Sequence, residues 1–360
     1  MYCSLVLLAL GLGPTAHAVT IDMEGLPDTG LDTSSWETGT APPIASLVDV
    51  NDMQIAVKNT LDPRDYAYYR AAALDEITYQ ANMLGWSKLR LNGVSFTDVS
   101  NVNLKTTILG YNFSMPFFIA PAVQAGRADS GAETNLVKAA GAAGILHVPS
   151  ISSTQSIQTI GAAAAPGQVM FHQEYNWSNK TRLQSELDQI KSAGFKAILL
   201  TVDNTGLQNM TTLPIVPKGV KTAHDVKLCA DLGFKTVYIS NQGGRVVDLA
   251  PTAVEVLLDV HKNHPEVFGK IEIYADGGVR RASHVLALLA LGARAVGLGR
   301  PAMFANIYSQ PGVAKMISIL QAELTTEMQL MGQADVNKYR GNTTFINTRQ
   351  VELEYFGAPL

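Results

Sequence analysis

Residues 237–248 read VYISNQGGRVVD, an apolar run that stops at Ser240 and turns through polar, glycine-bearing sequence. Gln242 stands at the tip of that turn and Arg245 just behind it. This is the pattern of a strand end that grips a ligand. A glutamine amide, though, does not usefully exchange protons near neutral pH, so the turn binds without an evident acid or base. Two further turns carry glycine next to arginine: Asp276, Gly277, Gly278, Val279 and Arg280, then Gly299 and Arg300. Glycine lets a backbone approach a ligand closely, its N–H groups can point at phosphate oxygens, and arginine adds charge. Lys218 ends the run IVPKG, where an ammonium can balance negative charge on a cofactor ring. Gln173 and Thr201 also end apolar runs and could hydrogen-bond a ring edge. The alternative for each residue is an ordinary solvated or capped strand end.

These residues need a frame that brings strand ends together. From Met115 onward, short apolar β-branched runs alternate with helical stretches. The runs are 116–120, 144–148, 169–173, 197–202, 213–216, 236–240, 271–275 and 295–299. Helical patterns occupy 132–142, 182–193, 223–232, 251–261 and 282–291. Nearly all-apolar strands alternating with helices predict an α/β protein, a (β/α)8 TIM barrel, with a doubly wound open sheet as the alternative. A barrel places its site at the C-terminal strand ends, with phosphate after strands seven and eight. The glycine–arginine turns fall there.

The expected organisation is a signal peptide at 1–18, a linker or loose arm at 19–45, a helical preface at 46–114, the barrel at 115–345 and a tail at 346–360. The apolar run 5–12 ending in Ala16-His17-Ala18 reads as a secretory leader, so the protein is expected to be secreted. Asn-x-Ser/Thr sequons at Asn112, Asn176, Asn179, Asn209 and Asn342 fit a glycoprotein. Without the leader, Cys229 is the one remaining thiol and no internal disulfide can form. Charged residues are 16% of the chain and the net charge is −4, which argues against nucleic-acid or anionic-membrane partners.

One link is anomalous. Only the ten residues DNTGLQNMTT separate the fourth run from the fifth. They reach at most about 35 Å, enough to return over a strand of roughly 17 Å but not to include a helix. The outer face of strands four and five is therefore expected to lack its cover.

The motifs YY with DE (68–69, 75–76), TTILG (106–110), MPFFIAP (115–121), LTVD (200–203), SNQGGR (240–245), DGGVRR (276–281) and LGRP (298–301) resemble those of the FMN-dependent α-hydroxy acid oxidases and dehydrogenases. That family includes glycolate oxidase, lactate oxidase and the flavin domain of flavocytochrome b2, and the resemblance runs from about residue 46 to 339. It implies an FMN held by Pro121, Ala122, Ser150, Gln173, Thr201 and Ser240, with Lys218 beside the ring. Its phosphate would rest on Asp276 to Arg280 and on Gly299 and Arg300. Tyr68 and Arg245 would clamp the carboxylate of a small 2-hydroxy or 2-keto acid, Tyr175 would bond its oxygen, and Asp203 would orient the base. The family pattern also implies a homo-oligomer.

The sequence departs from that pattern at the chemistry. The family places a basic histidine where Gln242 stands, and a second carboxylate-binding arginine where Met210 stands. Its long mobile loop and covering helix are missing from the short link. No other histidine replaces the base by position: His147 and His172 lie in strand runs, and His224, His261, His264 and His284 on or after helices. Three readings follow: an FMN oxidoreductase with impaired or altered activity, in which Asp203 could serve as base; a flavin-binding pseudoenzyme; or an incomplete gene model lacking sequence between Asn209 and Leu213.

Overall fold

The computed structural model describes residues 23–201 and 210–357, so the expected leader and Asp203 lie outside the described residues. A parallel sheet of seven strands runs in the order Phe117–Ile119, Ala295–Leu298, Glu272–Ala275, Thr236–Ile239, Ile215–Val220, Ile198–Thr201 and His172–Tyr175. The run expected at 144–148 forms single bridges instead of a ladder. His147 bridges both Ile119 and Met170, and Ser150 bridges Gln173. The Ile119 N–H donates to Leu146 O at 3.0 Å and the Phe171 N–H to His147 O at 3.3 Å. This segment joins the two edge strands and shuts the ring, as a (β/α)8 barrel requires.

Alternation decides which side chains face inward. Phe118, Leu146, Phe171, Leu199, Val216, Tyr238 and Tyr274 fill the barrel. Their neighbours Ile119, Val237, Ile239, Ile273 and Val296 pack outward against helices. The helices expected on the outside are present at Ala132–Ala143, Lys180–Ser192, Ala223–Asp231, Ala253–Asn263 and Ala282–Ala290. Thr252 and Glu255 form a capping box at the fourth of these, which fixes where that helix starts. A further helix, Ser309–Leu330, buries Val313, Met316, Ile317 and Leu320.

Several expectations change. The preface is helical only in part, at Val50–Thr60, Pro63–Arg70 and Ile77–Leu84. TTILG instead begins a hairpin, Thr106–Ile108 with Tyr111–Phe113, and Leu109 and Gly110 both take left-handed φ (50° and 80°) in its two-residue turn. Ile108 and Phe113 join the barrel interior and plug its N-terminal end. The arm is not loose where it is described. Trp36 is buried, Asn59 Nδ2 donates to the carbonyls of Glu37 and Thr40, and Tyr308 OH donates to Pro42 O. The tail is likewise part of the fold, since Ile346–Asn347 pairs antiparallel with Arg90–Leu91. Helix Arg349–Phe356 follows, and Lys262 lies 4.2 Å from the centre of the Phe356 ring.

The outer face beside the short link is not bare. Ile198 and Leu200 are buried with Leu187 and Ile190, and Met210, Leu213 and Ile215 pack on the same cluster. The returning chain supplies its own apolar cover, and the strand starts at Ile215 rather than at residue 213.

Buried titratable groups make stability depend on pH. Burial holds His147 down to about 4, and His172 and His284 down to about 3. Between those values and about 6.5 the unfolded chain binds more protons, so stability falls as pH falls. Each imidazole contributes about 1.4 kcal/mol per pH unit over that range. Burial lifts Glu174 and Glu327 to about 7. These carboxyls take up protons in the folded state first and oppose the loss down to about 4.5. Urea denaturation is therefore expected to show a shallow decline from pH 6.5 to 4.5 and a steep one below. A uniform slope through pH 4.5 would contradict this assignment.

Candidate active site

At the C-terminal ends of the strands lies a cavity of about 270 Å³. Among the expected residues, Tyr68, Pro121, Ala122, Ser150, Gln173, Tyr175, Thr201, Lys218, Gln242, Arg245, Asp276 to Arg280, Gly299 and Arg300 line it. Ser240 is buried just behind, with its Oγ 3.5 Å from Lys218 Nζ.

Adjacent strand ends are tied into one polar chain. Ser150 Oγ donates to Gln173 Oε1 at 2.7 Å, and Gln173 Nε2 donates to Thr201 Oγ1 at 3.1 Å. Lys218 is 4% exposed, and burial lowers its pKa while the Asp276 carboxylate acts in the opposite sense. A buried ammonium facing a cavity suits an anionic group.

The turn at 276–280 is held tightly. Gly277 and Gly278 take φ of 118° and 69°, and a Cβ on Gly278 would lie 2.0 Å from Asn82 O. Trp86 Nε1 donates to Gly278 O at 3.1 Å, and His284 stacks on the Trp86 ring at 4.4 Å. Arg280 is 4% exposed, and its Nη1 donates to Val279 O at 3.0 Å. Its Nε and Nη2 are buried without any partner. A desolvated guanidinium with two free donors is arranged for an anion.

The family described as FMN-dependent dehydrogenase matches residues 57–210 and 205–345. The cytochrome-type L-lactate dehydrogenase of Wickerhamomyces anomalus is 29% identical over 94% of this chain and 68% of its own. Glycolate oxidase 3 of Oryza sativa subsp. indica is 30% identical over 79% of this chain and 93% of its own. Among solved structures, a variant of flavocytochrome b2 superposes with a TM-score of 0.83 at 27% identity, covering 89% of this chain and 91% of that one. A mandelate oxidase superposes at 0.76 with 25% identity, over 84% and 98%. The chain belongs to the FMN-dependent dehydrogenase family. The two matched stretches meet at the short link.

FMN is the cofactor of this family, and the residues present fit it. Arg280 offers two unpartnered nitrogens to a phosphate, Gly277 and Gly278 allow close backbone approach, and Lys218 brings a buried positive charge. Arg300 lines the cavity, and its side chain is also committed to main-chain carbonyls. Its side chain donates to the carbonyls of Tyr69 (2.9 Å), Gly243 (2.9 Å), Arg70 (3.3 Å) and Ala71 (2.9 Å), so it ties down the end of helix Pro63–Arg70. Burial, with Arg280 nearby, lowers Arg300 to about 9. Arg245 is partly engaged in the same way, with Nη1 donating to Tyr68 O at 2.8 Å and Ala71 O at 2.7 Å. Sequence shows two cations there but not their carbonyl acceptors, which at Tyr68 to Ala71 lie more than a hundred residues away.

Gln242 occupies a strained position. Its φ is 53°, and Gly243 and Gly244 follow at 63° and 79°. Glycine is required at both: a Cβ would lie 2.6 Å from Arg300 Nη1 at Gly243 and 2.8 Å from Tyr79 N at Gly244. The Gln242 N–H donates to Ser240 Oγ at 3.0 Å, and Asn241 Oδ1 accepts from the Gly244 N–H at 3.2 Å. Among the described residues, no histidine lines the cavity, and its one carboxylate, Asp276, accepts from Tyr238 OH at 2.8 Å. His147 and His172 are sealed in apolar surroundings and cannot reach it.

Val123, Gly297 and Met303 also line the cavity and have no assignment from sequence. Gly297 carried a signal, since glycine inside an apolar strand marks a close approach. A Cβ there would lie 2.1 Å from Tyr238 OH.

Proposed function

We propose that this protein is an FMN-dependent oxidoreductase that converts a small 2-hydroxy acid to the 2-keto acid at a rate lowered by the loss of its proton acceptor. The observation that carries this reading is the side chain of Gln242 at the cavity beside an otherwise fitting FMN cradle. Bound FMN supplies the two-electron acceptor. Tyr68 and the remaining guanidinium nitrogens of Arg245 would hold the substrate carboxylate, and Tyr175 its oxygen. Lys218 would counter negative charge that develops in the cavity. Oxidation also requires a proton to leave, and an amide does not take it. Losing a positioned base typically costs about 10²–10⁴-fold, so slow turnover is the expected state. Asp203 is the residue we assign as the substitute acceptor.

The names of the relatives support the substrate class, since they include a lactate dehydrogenase and a glycolate oxidase. Met210 and the short link favour one competing reading, a flavin-binding protein without turnover. The test is to purify the protein and follow its visible spectrum anaerobically with lactate, glycolate and mandelate. A yellow protein that bleaches supports turnover, one that stays yellow supports the binder, and a colourless one removes both. A transcript read across residues 209–213 decides whether the short link is the true sequence.

A further inference from the structure

Tyr238 lies inside the barrel directly behind the cavity, fully buried. Phe118 and Tyr274 pack edge-on against its ring at 5.6 Å and 6.2 Å between centres. These contacts leave its hydroxyl one direction, and the missing Cβ of Gly297 makes the space for it. There it donates to Asp276 Oδ2 at 2.8 Å. Burial and the adjacent Asp276 keep the phenol protonated, so it acts as a donor.

Lys218 lies over the ring of Tyr238, with Nζ 5.1 Å from its centre. Its ammonium is within electrostatic reach of Asp276. Among the described residues, however, no ion pair joins the two, and Lys218 Nζ instead donates to Ser240 Oγ at 3.5 Å. Asp276 Oδ1 is buried without a partner. An ammonium and a carboxylate this close attract each other, so an unpaired arrangement needs one of them held elsewhere.

We propose that Tyr238 is a positioning residue: its hydroxyl holds Asp276 off Lys218, which leaves the ammonium's charge available to an anionic group in the cavity. The proposal rests on the FMN reading above. Without the hydroxyl, Asp276 turns to Lys218 as its remaining donor, and the field at the cavity weakens. An anionic state of the bound ring then becomes less stable, whatever the catalytic rate.

Sulfite tests this without turnover, because its addition to oxidised flavin gives an anionic adduct that bleaches the visible band. FMN-loaded protein is titrated with sulfite as wild type, Tyr238→Phe, Tyr274→Phe, Asp276→Asn and the Tyr238→Phe/Asp276→Asn double variant. Tyr238→Phe is expected to weaken sulfite binding about ten-fold, the size of one hydrogen bond to a charged group. Tyr274→Phe, which loses a hydroxyl bonded to Glu272 instead, is expected to leave it unchanged. In the Asp276→Asn background, Tyr238→Phe should add nothing. Gly297→Ala, which crowds the hydroxyl without altering the ring, should weaken binding in the same direction. Unchanged or tighter binding in Tyr238→Phe overturns the proposal, as does a loss that persists in the Asp276→Asn background. A wild-type protein that takes up no FMN fails the FMN reading itself, whereas a loaded one with an unmoved Tyr238→Phe titration fails only this inference.

Discussion

Arg280→Met is expected to yield a protein that folds more stably and binds FMN far more weakly. Arg280 is almost wholly buried, its Nε and Nη2 have no partner, and burial lowers its pKa. An unpaired buried charge costs the folded protein several kcal/mol before relaxation. A methionine of similar length removes that cost and keeps the contact with Phe304, whose ring centre is 5.9 Å from the guanidinium carbon. The FMN-free protein is expected to gain about 1–3 kcal/mol. The same change removes two donors from the phosphate. Hydrogen bonds to charged groups are worth about 1.5–3 kcal/mol each, so FMN affinity should fall at least about a hundred-fold. Thermal melts of the FMN-free protein and quenching of FMN fluorescence on binding read the two effects separately. A lower melting temperature with intact affinity would show that Arg280 is a structural residue and not the phosphate ligand.

Gln242→His is expected to accelerate flavin reduction by a 2-hydroxy acid about a hundred-fold. That is the lower end of what a positioned base contributes, because Met210 and the short link are unchanged. The backbone admits the substitution: φ at 242 is 53°, and histidine is among the side chains that tolerate the left-handed region. An imidazole must be neutral to accept a proton, so the variant's rate should rise with pH through a value at or below about 6.5. Arg245, Arg280 and Arg300 line the same cavity and favour the neutral form. Wild type should show no such rise. Stopped-flow absorbance across pH 5–8 measures both. A variant no faster than wild type at any pH would shift the reading to a binder without turnover.

The barrel was legible because strands covered on both faces must be apolar, and seven of the eight runs appear as ladder strands. The eighth, around His147, forms only single bridges, a difference that hydrophobicity does not encode. The hairpin at 106–113 falls inside the span expected to be helical preface because its apolar residues are too few to set a period. The cavity-lining Gly277, Gly278, Gly299 and Lys218 were readable from their places at strand ends. The engagement of the Arg300 side chain was not, because two of its acceptors, Tyr69 O and Arg70 O, are main-chain carbonyls of helix Pro63–Arg70, more than two hundred residues earlier. Tyr238 looked like one more apolar strand residue, and only the position of Asp276 gives its hydroxyl a purpose.

The pairing of Arg90–Leu91 with Ile346–Asn347 has a consequence for synthesis. Residues 90–91 wait for a partner made about 255 residues later, and contacts so distant along the chain form slowly. The nascent protein therefore carries an open seam until residue 347 has emerged. A chain stopped short of residue 346 leaves that seam for other strands to fill.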